Sequence, residues 1–324
     1  MFIHQGSSYK PFEVTAYAHK LDKFFQLATD NSGSRDCRIA SVDNFAYICR
    51  VVDCGGGLLM NSLLRFDPRQ LTSHELTPCP RLRLDPALAA CGRCLYLFGG
   101  ATDTYVILDS VDCYNIVTDT WTACRPLPAP THALSAVAVP SGGGGGAVYV
   151  SGGLERQTRA PVTSLTLYDT RTGVYTPRAP MHCARRLHEM CYVAGGAGRG
   201  DDSIYALGGI ADHSYSSQSS IAVEAYSLAA DQWTLIDATT LAGRAVGHFV
   251  VFNDAVLSIG REQPDATEEE IRRFRRGDEH ASSSSWTPYA RVPRRGGLSG
   301  VTVAKLKINF YDERVAKHVI SDKR

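Results

Sequence analysis

Cysteine and arginine are the residues of this chain whose types and spacing could do chemistry. Cys91-Gly92-Arg93-Cys94 has the C-x-x-C spacing of a redox dithiol or of half a zinc site. A zinc site wants a second ligand pair close by, and a redox pair wants a βαβ setting. Here the motif lies between ALAAC and CLYLFGG, the setting of a two-residue hairpin turn, so two half-buried thiols are preferred over a redox role. Arginine outnumbers lysine 27 to 7; it suits planar, bidentate capture of carboxylate or phosphate, although codon bias alone also raises it. In IRRFRRGDEH (271–280) the basic run is bracketed by EEE (268–270) and DEH. Its charges largely cancel, which favours a solvated strand and loop over a nucleic-acid patch. SGGGGG (141–146) has no helix or Lys-Ser/Thr after it and reads as a hairpin tip rather than a phosphate cradle, with GAGRGDD (196–202) as the equivalent tip further on. The Arg-Gly-Asp triplets at 199–201 and 276–278 are assigned to chance. The sequence holds no G-x-S-x-G elbow, P-loop, H-E-x-x-H or dense acidic cage. It is read as non-catalytic, with no metal and no cofactor.

The elements that must position these groups follow from composition and period. The 324 residues carry 34 basic and 33 acidic side chains, 44% are hydrophobic and only 21% charged, which is the balance of a folded chain and not of a charge-dominated disordered one. No apolar run approaches the roughly 18 residues of a membrane span. The opening MFIHQGSSYKPFE lacks a basic-then-apolar layout. The expectation is an intracellular, cytoplasmic protein, with the nucleus as a second compartment and its ten cysteines as free thiols. Short apolar runs that end in glycine recur at Gly6, Gly56, Gly100, Gly153, Gly209 and Gly260, 44 to 56 residues apart, the period of a propeller blade. After each anchor an aromatic residue is followed seven positions later by a second bulky one: Tyr17/Phe24, Phe66/Ser73, Tyr114/Trp121, Tyr168/Tyr175 and Tyr226/Trp233. Ser73 fills its slot poorly, and the sixth unit, ending in Trp286, is interrupted by PDATEEEIRRFRRGDEHASSSS. Each pair brackets a polar stretch that reads as strand, tight turn, strand.

With LYLFGG…DCYNIVTDTWTACRPLP (95–128) and VYVSGG…LYDTRTGVYTPRAPM (148–181) in register, the chain resembles a kelch-repeat β-propeller. The fold expected is all-β: a six-bladed propeller over 1–308 with four antiparallel strands per blade. GGLSGVTVAKLKI (296–308) then closes the ring by pairing into the first blade, leaving no open sheet edge, and 309–324 forms a polar tail. A chain that opens within a blade resembles the last part of a BTB-BACK-Kelch protein, so a dimerising BTB and a helical BACK domain are expected upstream. The propeller alone is expected to be a monomer.

In kelch proteins of this type, partner segments bind the face made by loops after each Gly-anchored strand and by loops joining successive blades. Carried over by position, the joining loops hold Arg38, Arg81, Arg83, His132, Arg185, Arg186, His188, Arg244, Arg294 and Arg295, and the post-anchor loops hold Ser7, Tyr9, Tyr105, Arg156, Arg159, His213, Tyr215 and Arg261. A concave basic ring suits an acidic or phosphorylated segment, with the tyrosines as aromatic anchors. For any single arginine, packing against the next blade while satisfying loop carbonyls accounts for its presence equally well. The resemblance implies the substrate-recognition, degron-binding domain of a cullin-RING ubiquitin ligase adaptor. In that setting ubiquitin transfer is done by partner proteins, and the cullin is bound only through BTB-BACK. An actin-associated scaffold is the alternative, and no nucleic-acid or membrane partner is expected. Kelch-like propellers also include the copper enzyme galactose oxidase, but no Tyr, His and Cys set at recognisable spacing marks a copper site here.

Overall fold

The computed structural model describes residues 2–6, 12–18, 23–30, 34–70, 72–140, 146–195, 201–211, 223–237, 248–252, 255–260, 268–275, 286–293 and 298–303. Among them regular secondary structure is entirely β, arranged as antiparallel four-stranded sheets, in all but the first of which the strands follow chain order, with one short two-stranded pairing besides. The first sheet holds Phe2–Gly6, Phe12–Ala18 and Lys23–Asp30, with Leu298–Val303 paired beside Phe2–Gly6. The second holds Ser34–Val42, Phe45–Asp53, Leu59–Asp67 and Thr72–Leu76, and the third Ala87–Cys91, Cys94–Phe98, Val111–Asn115 and Thr120–Cys124. The fourth holds Ser135–Val139, Ala147–Ser151, Leu165–Asp169 and Tyr175–Arg178, and the fifth Glu189–Val193, Ser203–Leu207, Val223–Ser227 and Gln232–Asp237. The sixth holds His248–Phe252, Ala255–Gly260, Glu268–Arg275 and Trp286–Pro293. The first strands of the second to sixth sheets neighbour one another in order, and Leu298–Val303 lies beside those of the second and sixth.

In the second to fifth sheets burial falls from the second strand to the fourth. Ser203–Leu207 is buried throughout, whereas Thr120–Cys124 is mostly exposed or half-buried. A strand covered on both faces reads as an apolar run, which is why LYLF, VYVS and IYAL do not alternate. The core lies between sheets. Phe98 and Val111 of the third pack with Val148 and Tyr168 of the fourth, and Tyr149 and Leu165 of the fourth with Ile204 and Tyr226 of the fifth.

The seven-residue aromatic spacing has a direct geometric cause. Tyr17 pairs across strands with Phe24, Phe66 with Ser73, Tyr114 with Trp121, Tyr168 with Tyr175 and Tyr226 with Trp233. In the interrupted sixth sheet the partner of Trp286 is Phe274, so a longer connection spans the same cross-strand pair. The pairs also brace the chain between sheets. The Trp121 and Trp233 indole N–H groups donate to the carbonyls of Thr77 and Ala179, each at 2.8 Å. The Tyr114 and Tyr226 hydroxyls donate to Asp119 and Asp231 at 2.6 Å, whose carboxylates accept the Thr77 and Ala179 amides.

The glycine pairs allow the loop of the next sheet to approach. A Cβ on Gly99 (φ 56°) would lie 2.1 Å from the Thr131 carbonyl oxygen, and one on Gly152 (φ 56°) 2.5 Å from that of Arg185. The glycines that follow donate to the same two carbonyls, Gly100 at 3.0 Å and Gly153 at 2.8 Å. Left-handed backbone and contact closer than a methyl group allows restrict both positions to glycine.

Candidate functional site

The joining loops and the post-anchor loops meet at one end of the sheets. Leu84 bridges to Ala101, Thr131–His132 pairs with Leu154–Glu155, and Arg186 bridges to Ile210. Backbone hydrogen bonds extend the joint, including Arg156 N–H to the Pro130 carbonyl at 3.1 Å. Among the described residues, the loops named from sequence around the third, fourth and fifth sheets therefore share a rim, on a rigid scaffold of the kind where binding residues are commonly carried.

Within that rim the candidate residues separate by burial. Arg83 (2% exposed) and Arg185 (0%) lie in the interior. Arg83 Nη1 donates to the carbonyls of Gly99 and Ser110 at 2.7 Å each, and its Nη2 is ion-paired with buried Asp112. Arg185 Nη1 donates to the Gly208 carbonyl at 3.1 Å, and its Nη2 pairs with Glu224, itself wholly buried and accepting the His182 and Cys183 amides at 2.6 and 3.1 Å. Burial pulls the Arg185 guanidinium below its ordinary pKa against the opposing pull of Glu224. The expectation that these two face a ligand is displaced. They tie the joining loop to its own sheet and satisfy loop carbonyls, the other role open to them.

His188 and Arg186 are buried as well. The Ser151 hydroxyl and His188 Nε2 are 2.7 Å apart, and burial, reinforced by the Arg185 charge, pulls the imidazole pKa down to about 3. His188 is thus a neutral core side chain rather than a rim cation. Arg38 is partly exposed but engaged: it pairs with Asp36 and, at 3.0 Å, with Asp85, and donates to the Pro86 carbonyl at 2.9 Å, joining the second and third sheets. His132 is half-buried, and burial lowers its pKa too.

The exposed rim residues are Tyr105, Arg156, Arg159 and Arg81, the last 3.8 Å from Asp112. Tyr105 is 79% exposed at the tip of a turn closed by its own N–H to the Thr102 carbonyl at 3.0 Å and by Val106 N–H to Thr102 Oγ1 at 3.0 Å. Its φ is +60°, a conformation that costs a bulky residue about 1–2 kcal/mol and is found preferentially where function demands it. Val106 beside it is also exposed. Ser7, Tyr9, His213, Tyr215, Arg244, Arg261, Arg294 and Arg295 lie outside the described residues.

Other sequence features resolve more simply. Cys91 and Cys94 pair directly across a two-residue turn, both half-buried, and all ten cysteines are free. Ile271–Arg275 belongs to a strand of the sixth sheet. Residues 141–145, 196–200 and 276–280, with most of the glycine tip, the second Arg-Gly-Asp triplet and the Arg-Gly of the first, fall outside the described residues. Among those described, no group of three or more His, Cys, Asp and Glu side chains is placed to hold a metal ion.

Comparison with known proteins agrees with the repeat. The Kelch motif matches residues 82–128, the third sheet with its entering and leaving loops. Kelch-like protein 36 of Rattus norvegicus is 34% identical over 200 residues, 60% of this chain and 30% of that protein. Kelch-like protein 34 of Homo sapiens is 30% identical over 234 residues, 67% of this chain and 33% of that protein. The chain is a Kelch domain of the Kelch-like family. Kelch-like protein 35 of Mus musculus matches at 28% over 64% of the chain. The chain spans about a third of the length of these relatives.

Sequence reasoning missed the acidic partners of this Kelch domain's interior arginines. Asp112 and Glu224 each occupy the second position of a third strand, in VDCYN and VEAYS, in the two sheets whose joining loops supply Arg83 and Arg185. That correlation, Arg in the loop with an acid at a fixed strand position, was the available signal.

Proposed function

We propose that this Kelch domain binds a protein segment across the rim where its two loop sets meet, as the substrate-recognition part of a cullin-RING ubiquitin ligase adaptor. The observation that carries the reading is Tyr105, exposed beside Val106 and held in a left-handed turn on a rigid support. An aromatic side chain carried on a backbone turn formed in advance spares the backbone part of the ordering cost on binding. Arg156 and Arg159, in the corresponding loop of the next sheet, and Arg81 supply donors for carboxylate or phosphate, with Arg244, Arg261 and Arg294 as further contributors by position. With Arg83 and Arg185 neutralised internally, the acidic preference rests on these peripheral cations.

In this reading the sheets are six blades in a ring closed by Leu298–Val303. Its pairing with Phe2–Gly6 and its place beside the first strands of the second and sixth sheets support that closure. Ten free thiols fit a reducing compartment such as the cytoplasm. Cullin binding and dimerisation belong to BTB and BACK domains of a longer chain, and ubiquitin transfer to its partners.

The test compares affinity capture by the wild-type domain with a Tyr105→Ala, Arg156→Glu variant of equal thermal stability. Proteins lost from the variant are then followed in cells expressing the full-length protein with and without the same changes. Reduced ubiquitination of the lost proteins supports the ligase role. Lost capture with unchanged ubiquitination leaves the rim as a binding face and refutes that role, and undiminished capture, of actin in particular, refutes both.

A further inference from the structure

One repeat position is filled from within in two sheets and is open in a third. Four residues before the first strand stand Arg83 in the third sheet and Arg185 in the fifth, and the second residue of the third strand is Asp112 or Glu224. In the fourth sheet the same two positions hold Thr131 and Thr166. The surrounding backbone is unchanged: Gly152 N–H donates to the Ser164 carbonyl at 2.9 Å, as Gly99 N–H does to Ser110 at 3.1 Å. Only the guanidinium and its carboxylate are gone. Thr131, Thr166, Gly152 and Ser164, the counterparts of the four residues that build the Arg83 site, all line a cavity of about 220 Å³ that is partly open to solvent. Glu155, an acidic residue, is also part of the wall, and Leu134, Val150 and Val162 supply its apolar part.

We propose that this cavity is a recognition slot for an arginine side chain of a partner protein, which takes the place that Arg83 and Arg185 occupy in the neighbouring sheets. The methylene stem packs on Leu134 and Val150 while the guanidinium reaches the Gly152 and Ser164 carbonyls, the acceptors that Gly99 and Ser110 offer Arg83. Glu155 stands in for the missing Asp112 as counter-charge. An apolar side chain would cover the Gly152 carbonyl and the Glu155 carboxylate without bringing them a donor, a costly omission. A lysine ammonium lacks the planar fork that serves two carbonyls and a carboxylate together. The inference rests on the slot alone and holds whether or not the domain serves a ligase.

The test is methyl NMR of the isotope-labelled chain titrated with N-acetyl-L-arginine N-methylamide. Saturable shifts are expected at Leu134, Val150 and Val162 in the millimolar range of a single side-chain fragment, with the leucine analogue giving none. Glu155→Gln is expected to weaken binding about tenfold, the size of one charge-assisted hydrogen bond. Thr131→Arg with Thr166→Asp rebuilds the internal pair and should abolish the shifts; if that variant does not fold, Thr131→Met fills the slot instead. Absence of saturable shifts, equal shifts from the leucine analogue, or full binding by the filled variant would each overturn the proposal.

Discussion

Replacing Arg185 by methionine separates an interior clamp from a ligand contact. The change keeps most of the side-chain volume but leaves Glu224, wholly buried, with two amide donors and no counter-ion. Removing one member of a buried ion pair typically costs about 3–5 kcal/mol, a large part of the roughly 5–15 kcal/mol that holds a folded domain together. Glu224→Gln should cost a similar amount by stranding the guanidinium. The double variant Arg185→Met, Glu224→Gln carries no uncompensated charge and keeps a carbonyl acceptor for the amides, so its cost should fall to about 1–2 kcal/mol. The assay is equilibrium urea unfolding of all four proteins by circular dichroism and tryptophan fluorescence. Single variants costing under about 1 kcal/mol, or a double variant equal to the sum of the singles, would refute the clamp. An Arg185 that met a partner directly would leave the urea midpoint in place and lose binding only.

Further outcomes follow from the same geometry. Between pH 6.5, the ordinary value for histidine, and about 3, the unfolded chain takes up a proton at His188 that the native state refuses. Stability should therefore fall with acid by up to about 1.4 kcal/mol per pH unit, and His188→Gln, which retains a partner for Ser151, should flatten that slope by one proton in urea midpoints measured from pH 7 to 4. Gly152→Ala places a Cβ 2.5 Å from the Arg185 carbonyl in left-handed backbone; thermal unfolding should show a loss of at least about 2 kcal/mol. Tyr105→Gly relieves a positive φ and should raise stability by up to about 1 kcal/mol in the same assay while weakening partner capture.

Much of the fold was legible because its signals are local and repeated. The glycine pair answers a carbonyl of the next loop, and the seven-residue aromatic spacing is a cross-strand pair about a short turn, so each leaves a similar trace in most units. The sixth unit hid its pair because Phe274 and Trp286 are joined by a longer connection, which moves the sequence spacing and leaves the geometry alone. The rim was legible as a set of loops but not as a set of roles. Whether an arginine points inward depends on an acid far along the chain: Asp112 is 29 residues from Arg83, and Glu224 is 39 from Arg185. Loop position alone carries no trace of that pairing. The open slot of the fourth sheet was invisible for the same reason, since Thr131 and Thr166 acquire meaning only against the pairs that replace them elsewhere.

The central claim is that one end of the sheets is the partner-binding face. A photo-crosslinking amino acid placed at position 105, on the loop between the second and third strands of the third sheet, should join a discrete set of proteins in living cells. The same group at position 117, in the turn at the opposite end and also exposed, should not join them. Crosslinks at 105 that are absent at 117 are the result this account predicts; equal yields at both positions, or yield only at 117, would contradict it.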